Sequence, residues 1–210
     1  MRAAPVIILV LLAGCGPKTL SLPADPIDRA ATCGVVAAAE ARTGTDVTAE
    51  LSFQAQTRII HHALLAGADA AGFAAERATA VSRRMAELQE DIVAGKWQEL
   101  IPACRDAFPV VTATAVSLPA DRLEAQLGCD ELADFATEAL AGEGSAYRRE
   151  LGELAALNRV IDRTAGSALR QRAGTVLEKQ QALRGRALAD IADAGPLSGV
   201  LAECRRRFDG

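Results

Sequence analysis

The pentapeptide Ser-Leu-Pro-Ala-Asp occurs twice in the chain, at Ser21 to Asp25 and at Ser117 to Asp121, and each copy is followed eight residues after its aspartate by a cysteine. With an offset of 96 the two stretches align together with Cys33 on Cys129. Further along the offset becomes 100, placing Glu50-Leu51 on Glu150-Leu151, Leu88 on Leu188, Gly95 on Gly195, Cys104-Arg105 on Cys204-Arg205 and Phe108 on Phe208. The change of four residues is about one helical turn, and one small insertion between the first and second helices of the second copy accounts for it. Agreement of the cysteines, the Cys-x-x-x-Phe endings and the intervening apolar positions in one register marks an internal duplication. Two copies of one module are therefore expected, over residues 26–112 and 117–210.

Composition narrows what such a module can be. Half of the 210 residues are hydrophobic but only 3% are aromatic, so the core must be made mainly of Ala, Leu, Ile and Val, which suit closely approaching helices. In the first copy the periodicity predicts helices near 26–42, 48–67, 73–94 and 97–107, separated by Thr43-Gly44-Thr45, Gly67, Gly72 and Gly95. The third has a clear apolar face of Ala74, Ala78, Val81, Met85, Leu88 and Ile92, with Glu76, Arg83, Arg84, Glu87 and Glu90 elsewhere. In the second copy helices are expected near 121–141, 146–168, 170–193 and 197–207, broken by Gly142-Glu143-Gly144, Ala165-Gly166-Ser167 and Gly195-Pro196. The expected fold is all-α, two tandem copies of a four-helix, disulfide-stapled module. In each copy the repeated pentapeptide leads into a helix, with Asp25 or Asp121 placed to cap its first turn.

The chain begins MRAAPVIILVLLAGCG: Arg2, an apolar run from Val6 to Leu12, then Ala13 and Gly14 before Cys15. This has the form of a secretory signal, too short to span a bilayer. Leu12-Ala13-Gly14-Cys15 resembles the bacterial lipobox, and the resemblance covers the first fifteen residues. It implies a signal peptide of residues 1–14, lipidation of Cys15 and a mature chain held on a membrane by acyl chains. With several chains on one cysteine, at ~0.8 kcal/mol per buried methylene, attachment is effectively permanent. Gly16 after the cysteine further implies passage to the outer membrane with the body in the periplasm, and residues 15–25, rich in proline, read as the lipidated cysteine and its tether.

Four cysteines remain once Cys15 carries lipid, and an even number in an oxidising compartment argues for two disulfides. All three pairings are compatible with a two-fold repeat. An ancestral module with two cysteines would most simply join its first helix to its last, which gives Cys33 with Cys104 and Cys129 with Cys204. Metal or redox spacing is absent, since there is no Cys-x-x-Cys and no close Cys/His cluster.

The remaining candidates are few. His61 and His62 are the only histidines, and neighbours on a helix diverge by about 100°, so they are weak candidates for one metal; one is expected at the surface and the other partly packed. Trp97, the only tryptophan, is a possible contact residue, with packing against the disulfide and Phe108 as the plainer expectation. Arg205-Arg206-Arg207 reads as cations on the last turn of a helix, flanked by Glu203 and Asp209. No acidic pair, Gly-x-Ser-x-Gly, Walker-type loop or His-Glu-x-x-His motif marks a catalytic centre. A net charge of -4 with interspersed signs gives no reason to expect nucleic acid.

Together these readings describe a lipid-anchored, periplasm-facing helical protein with no cofactor, acting by binding rather than catalysis, through contact with an envelope protein. The alternative is a small-ligand or metal-binding lipoprotein with a pocket between the two modules.

Overall fold

The computed structural model describes residues 20–46, 49–143 and 145–208; Cys15, Gly16 and the signal-like segment lie outside them, as does Asp209. The first module consists of α1 (Pro26–Ala41), α2 (Phe53–Gly67), α3 (Ala75–Ala94) and α4 (Ile101–Ala107). A 3-10 turn at Trp97–Leu100 leads into α4 and another at Pro109–Thr112 follows it. The second module consists of α5 (Arg122–Leu140), α6 (Arg148–Ala173), α7 (Leu177–Ala192) and α8 (Leu197–Phe208), with a 3-10 turn at Ala141–Glu143. The chain is all-α, two four-helix modules each closed by one disulfide.

Both pentapeptides end in a helix cap. The Asp25 carboxylate accepts from the backbone N–H of Ile27 and of Asp28, both at 2.9 Å, and Pro26 occupies the first helical position, where no donor is missed. Asp121 accepts from Glu124 N–H at 2.9 Å and also takes both Nη atoms of Arg172 at 3.0 Å, which holds its carboxyl down at about 2. Both copies of the segment before the cap are tied by an arginine, Arg29 to the carbonyls of Pro23 and Ala24, and Arg207 to that of Pro119.

The disulfides join Cys33 to Cys104 and Cys129 to Cys204, first helix to last in each module, with Cα atoms 5.3 and 5.7 Å apart. They close separations of 71 and 75 residues, worth about 4 kcal/mol each in the chain-entropy account. The four-residue insertion lengthens α5, which has 19 residues against 16 in α1.

Besides α4, which starts at Ile101 rather than 97 because Trp97–Leu100 is a 3-10 turn, two boundaries differ from the expectation. First, α2 starts at Phe53 rather than near 48, because the Ser52 hydroxyl accepts from Ala55 N–H and caps it there. Second, α6 runs straight through Ala165-Gly166-Ser167 and ends at Ala173. Ala165 and Leu169 continue the buried row of Leu154, Leu157 and Ile161, and that packing outweighs the weak helix propensity of one glycine. The break falls at Gly174, whose φ of 71° suits a residue without Cβ, and α7 begins at Leu177 rather than 170. In the first module the matching stretch is a connection, as expected, and it is a miniature hairpin in which β1 (Ala68–Asp69) pairs antiparallel with β2 (Gly72–Phe73). Asp69 accepts from Ala71 N–H at 2.7 Å inside the turn and receives Arg77 at 2.5 Å.

The modules do not keep separate cores. The largest apolar cluster holds Leu127, Leu132, Leu157, Ile191 and Leu201 of the second module, and Leu64 of α2 is buried within it. Phe53, Ile60, Leu65 and Phe73 of the first module pack on its edge. The first module retains two smaller clusters, one around Cys33 and Cys104 and one of Ala30, Ala31, Ala63, Ala78 and Val81. Helix α2 is thus shared, one side facing α1 and α3 and the other facing α7 and α8.

Small residues set the close approaches. A Cβ on Gly34 would stand 2.7 Å from the Met85 sulfur, and in the second module the corresponding pair is Asp130 and Gly185. Glycine and the larger residue have changed sides. The exchange clears a space on α7 beside Gly185, where the backbone nitrogen of Phe73 lies 3.7 Å from the position a Cβ would take.

Candidate functional site

Between α1, α2 and α3 lies an open groove of about 580 Å³. Its apolar lining comes from Val35, Ala38 and Ala39 of α1, Ile59 of α2, and Met85 and Ala86 of α3. Val35 and Ile59 are buried and form its floor, while Ala38, Ala39, Met85 and Ala86 are open to it. Arg42, Gln56, Gln89 and Glu143 supply polar groups, and Gln56 donates to Glu143 of the second module at 3.2 Å. Trp97 and the half-exposed Val93 also border the groove. The volume lies in the range of ligand and peptide sites, with mostly apolar walls and few polar groups.

Trp97 has two contacts to make. One side packs in the cluster around Cys33 and Cys104, which also takes in Phe108, Leu20 and Leu22. The other faces the groove, so the residue expected as core is also part of the site.

A second, smaller cleft of about 250 Å³ lies between the modules. Ile60, Ala63 and Phe73 face Phe135 and Ala139 across it, with Ser82 and Glu138 at hand.

His61 and His62 are both buried, 1% and 3% exposed, which corrects the expectation that one of them is at the surface. The reason is the sharing of α2, which covers both of its sides. His61 Nε2 lies 2.9 Å from the carbonyl oxygen of Ala192, the last residue of α7. A carbonyl can only accept, so Nε2 carries the proton and satisfies an end-of-helix carbonyl of the other module. His62 donates from Nδ1 towards the carbonyls of Arg58 at 3.2 Å and Ile59 at 3.4 Å, and its ring meets Phe108 edge-on at 5.2 Å. Burial lowers both pKa values, that of His62 to about 4, with the neighbouring His61 adding to the effect there. The two rings are committed to different carbonyls. Among the described residues no group of three or more His, Cys, Asp and Glu is placed to hold a metal ion.

Asp130 is the buried carboxylate among the described residues, and it faces Arg184 at 2.6 Å, which also binds Glu131 at 2.8 Å. Burial raises its pKa to about 6 against the pull of Arg184, and Asp162 and Asp134 push the same way. Asp134 in turn receives Asn158 at 2.5 Å. This network joins α5, α6 and α7 and has internal partners.

The arginine run ends α8 as expected, and each member has a local contact. Arg205 meets Glu153 at 2.5 Å, Arg206 meets Glu203, and Arg207 binds the carbonyl of Pro119 while lying over the Phe208 ring.

The groove residues escaped the sequence reading because an alanine or valine on an amphipathic helix looks like core. The signal that could have found them is the difference between copies: Val35, Ala38 and Ala39 face Glu131, Asp134 and Phe135 in the alignment, and Met85 faces Gly185. Of these, Ala38 is the one apolar residue outside the buried core whose counterpart is charged.

Comparison of the chain with family models, with curated proteins and with solved structures returns no match.

Proposed function

We propose that the protein is a lipid-anchored component of a bacterial cell envelope that acts by binding rather than by catalysis, with the groove between α1, α2 and α3 as its binding surface. The observation that carries this reading is the groove itself: about 580 Å³ of mostly apolar wall, open to solvent, bordered by Trp97 and Val93. A concave, partly apolar lining with a tryptophan at its border suits contact with a partner. No helix among the described residues is long and apolar enough to cross a membrane, so attachment in this reading rests on Cys15 alone.

Two measurements test it. Cys15→Ser should release the protein from membranes into the soluble fraction, and undiminished membrane binding by that variant would remove the anchor from the proposal. Affinity capture with the full-length chain from detergent-solubilised envelope should recover a protein partner, and Ala39→Arg, which puts a charge in the groove, should abolish the recovery.

A second reading is favoured by the 250 Å³ cleft between the modules, where Phe73 and Phe135 would enclose a small apolar ligand. Native mass spectrometry of the purified protein separates the two. A stoichiometric small molecule retained by the wild type and lost on Phe135→Ala would support the ligand reading and overturn the first.

A further inference from the structure

The chain contains its own example of how the connection between a second and a third helix is covered. In the first module that connection is the hairpin of β1 and β2, and it lies on the α5 and α7 face of the second module. Phe73 meets Phe135 with ring centroids 5.8 Å apart, and a Cβ on Gly72 would stand 3.4 Å from the backbone of Gly185 and Arg186.

The duplication carries this contact over to the other module. Phe135 aligns with Ala39 at the offset of 96, and Gly185 and Arg186 align with Met85 and Ala86 at the offset of 100. All three counterparts line the open groove. The groove is therefore the first module's version of a surface that the second module keeps covered.

The covering element has a counterpart in topology rather than in register, since Gly72 and Phe73 align with Arg172 and Ala173 at the end of α6. The connection between α6 and α7 holds Gly174, Thr175 and Val176 and passes into Leu177, the first residue of α7. Because α6 runs on to Ala173 instead of folding back at the position of the hairpin, this connection stands at the end of a 26-residue helix. Val176 and Leu177 are 47% and 64% exposed, and neither lines the groove of its own chain. Among the described residues the exposed large hydrophobics are these two and Val93 at 51%, which borders the groove. They thus fall at the connection between the second and third helices of the second module and at the rim of the first module's groove.

We propose that the Val176-Leu177 tip of one chain docks in the α1, α2 and α3 groove of a second copy. The contact joins unlike surfaces, head to tail, so a pair of chains keeps one free groove at one end and one free tip at the other. Such contacts close into rings or continue as open rows, depending on the rotation between neighbours. Anchoring of all chains on one membrane would raise their effective concentration and allow a modest interface to suffice. The proposal names the partner of the binding surface put forward above and rests on that reading.

The test uses two differently tagged full-length chains produced together, one carrying Val176→Cys and the other Gln89→Cys, since Gln89 is an exposed residue of the groove. A disulfide-linked species bearing both tags should form on non-reducing gels from the mixed pair and not from either variant paired with itself. Adding Leu177→Asp to the first chain should reduce the linked fraction about tenfold or more, the loss expected when one leucine contact is removed. Because Leu177 is exposed, the melting temperature and the native disulfides should be unchanged by that substitution. Light scattering of the wild-type chain in mild detergent should give a mass that rises above the monomer with concentration, with Leu177→Asp remaining monomeric.

Absence of the mixed link, equal linking in the same-site controls, or a link insensitive to Leu177→Asp would overturn the proposal. So would a wild-type monomer at all concentrations that retains a lipid, as seen by native mass spectrometry. Failure of the anchor reading shows separately, in the partitioning of Cys15→Ser, because the cross-link and the mass are read in detergent.

Discussion

The rings of Phe73 and Phe135 meet edge-on, centroids 5.8 Å apart, and through them the hairpin of the first module is fastened to the first helix of the second. Phe73 also fills the space beside Gly67, where a Cβ would come within 2.4 Å of its ring. Phe73→Ala should therefore destabilise the fold by about 2 kcal/mol, below the cost for a fully buried phenylalanine because Phe73 is only partly buried. Chemical denaturation measures this, and a change below a few tenths of a kcal/mol would show that the hairpin does not contribute to the union of the modules.

Gly185→Met restores on α7 the residue that the first module carries at the matching position of α3. Its side chain would occupy the space beside Phe73, so the hairpin should lift from α7. Calorimetry of this variant is expected to show one transition with a lowered midpoint, since α2 still joins the two modules. A single transition with an unchanged midpoint would contradict that outcome.

Paired alanine substitution of the two disulfides should be unequal in effect. Removing Cys33 and Cys104 costs about 4 kcal/mol of chain entropy. Removing Cys129 and Cys204 costs a similar amount and also opens a space in the large cluster, where both are fully buried. Thermal melts of the two double variants should rank the second as the less stable.

Two buried groups oppose each other as the solution is acidified. His62 is held neutral with its pKa lowered to about 4, so its contribution is complete above its ordinary 6.5 and is lost as pH falls towards 4. Asp130 is raised to about 6, so its contribution is complete below its ordinary 3.8 and is lost as pH rises through 6. His61 and Asp134 shift in the same senses as these two. The wild-type melting temperature should thus change little between about pH 4 and 6, while Asp130→Asn should lose stability steadily on acidification over that range. A flat profile for Asp130→Asn would refute the opposition.

Much of the architecture was legible because duplication writes it twice. The capping aspartates, the cysteine pairing from first helix to last and the helical character all follow from features present in both copies. What was not legible lies where the copies differ and touch. The burial of His61 depends on Ala192, a partner 131 residues away, and no local pattern announces it. The passage of α6 through Gly166 depends on the row of buried residues either side of it, which a count of turn-forming residues does not weigh. The hairpin at 68–73 is too short for an alternating pattern, and its existence is tied to the cleared space at Gly185 on a different module. The groove was hidden for the opposite reason, since its residues have the composition of a core.

The sharing of α2 also sets a timetable for the newly made chain. His61 leaves the ribosome 131 residues before Ala192, a wait of roughly 7 to 26 s at ~5–20 residues per second. Through that interval Leu64 and its neighbours have no second module to lie against, and the N-terminal half carries a bare apolar flank. The early half of this protein is thus the part most exposed to aggregation and most in need of escort, although in the finished molecule the same helix is among the best covered.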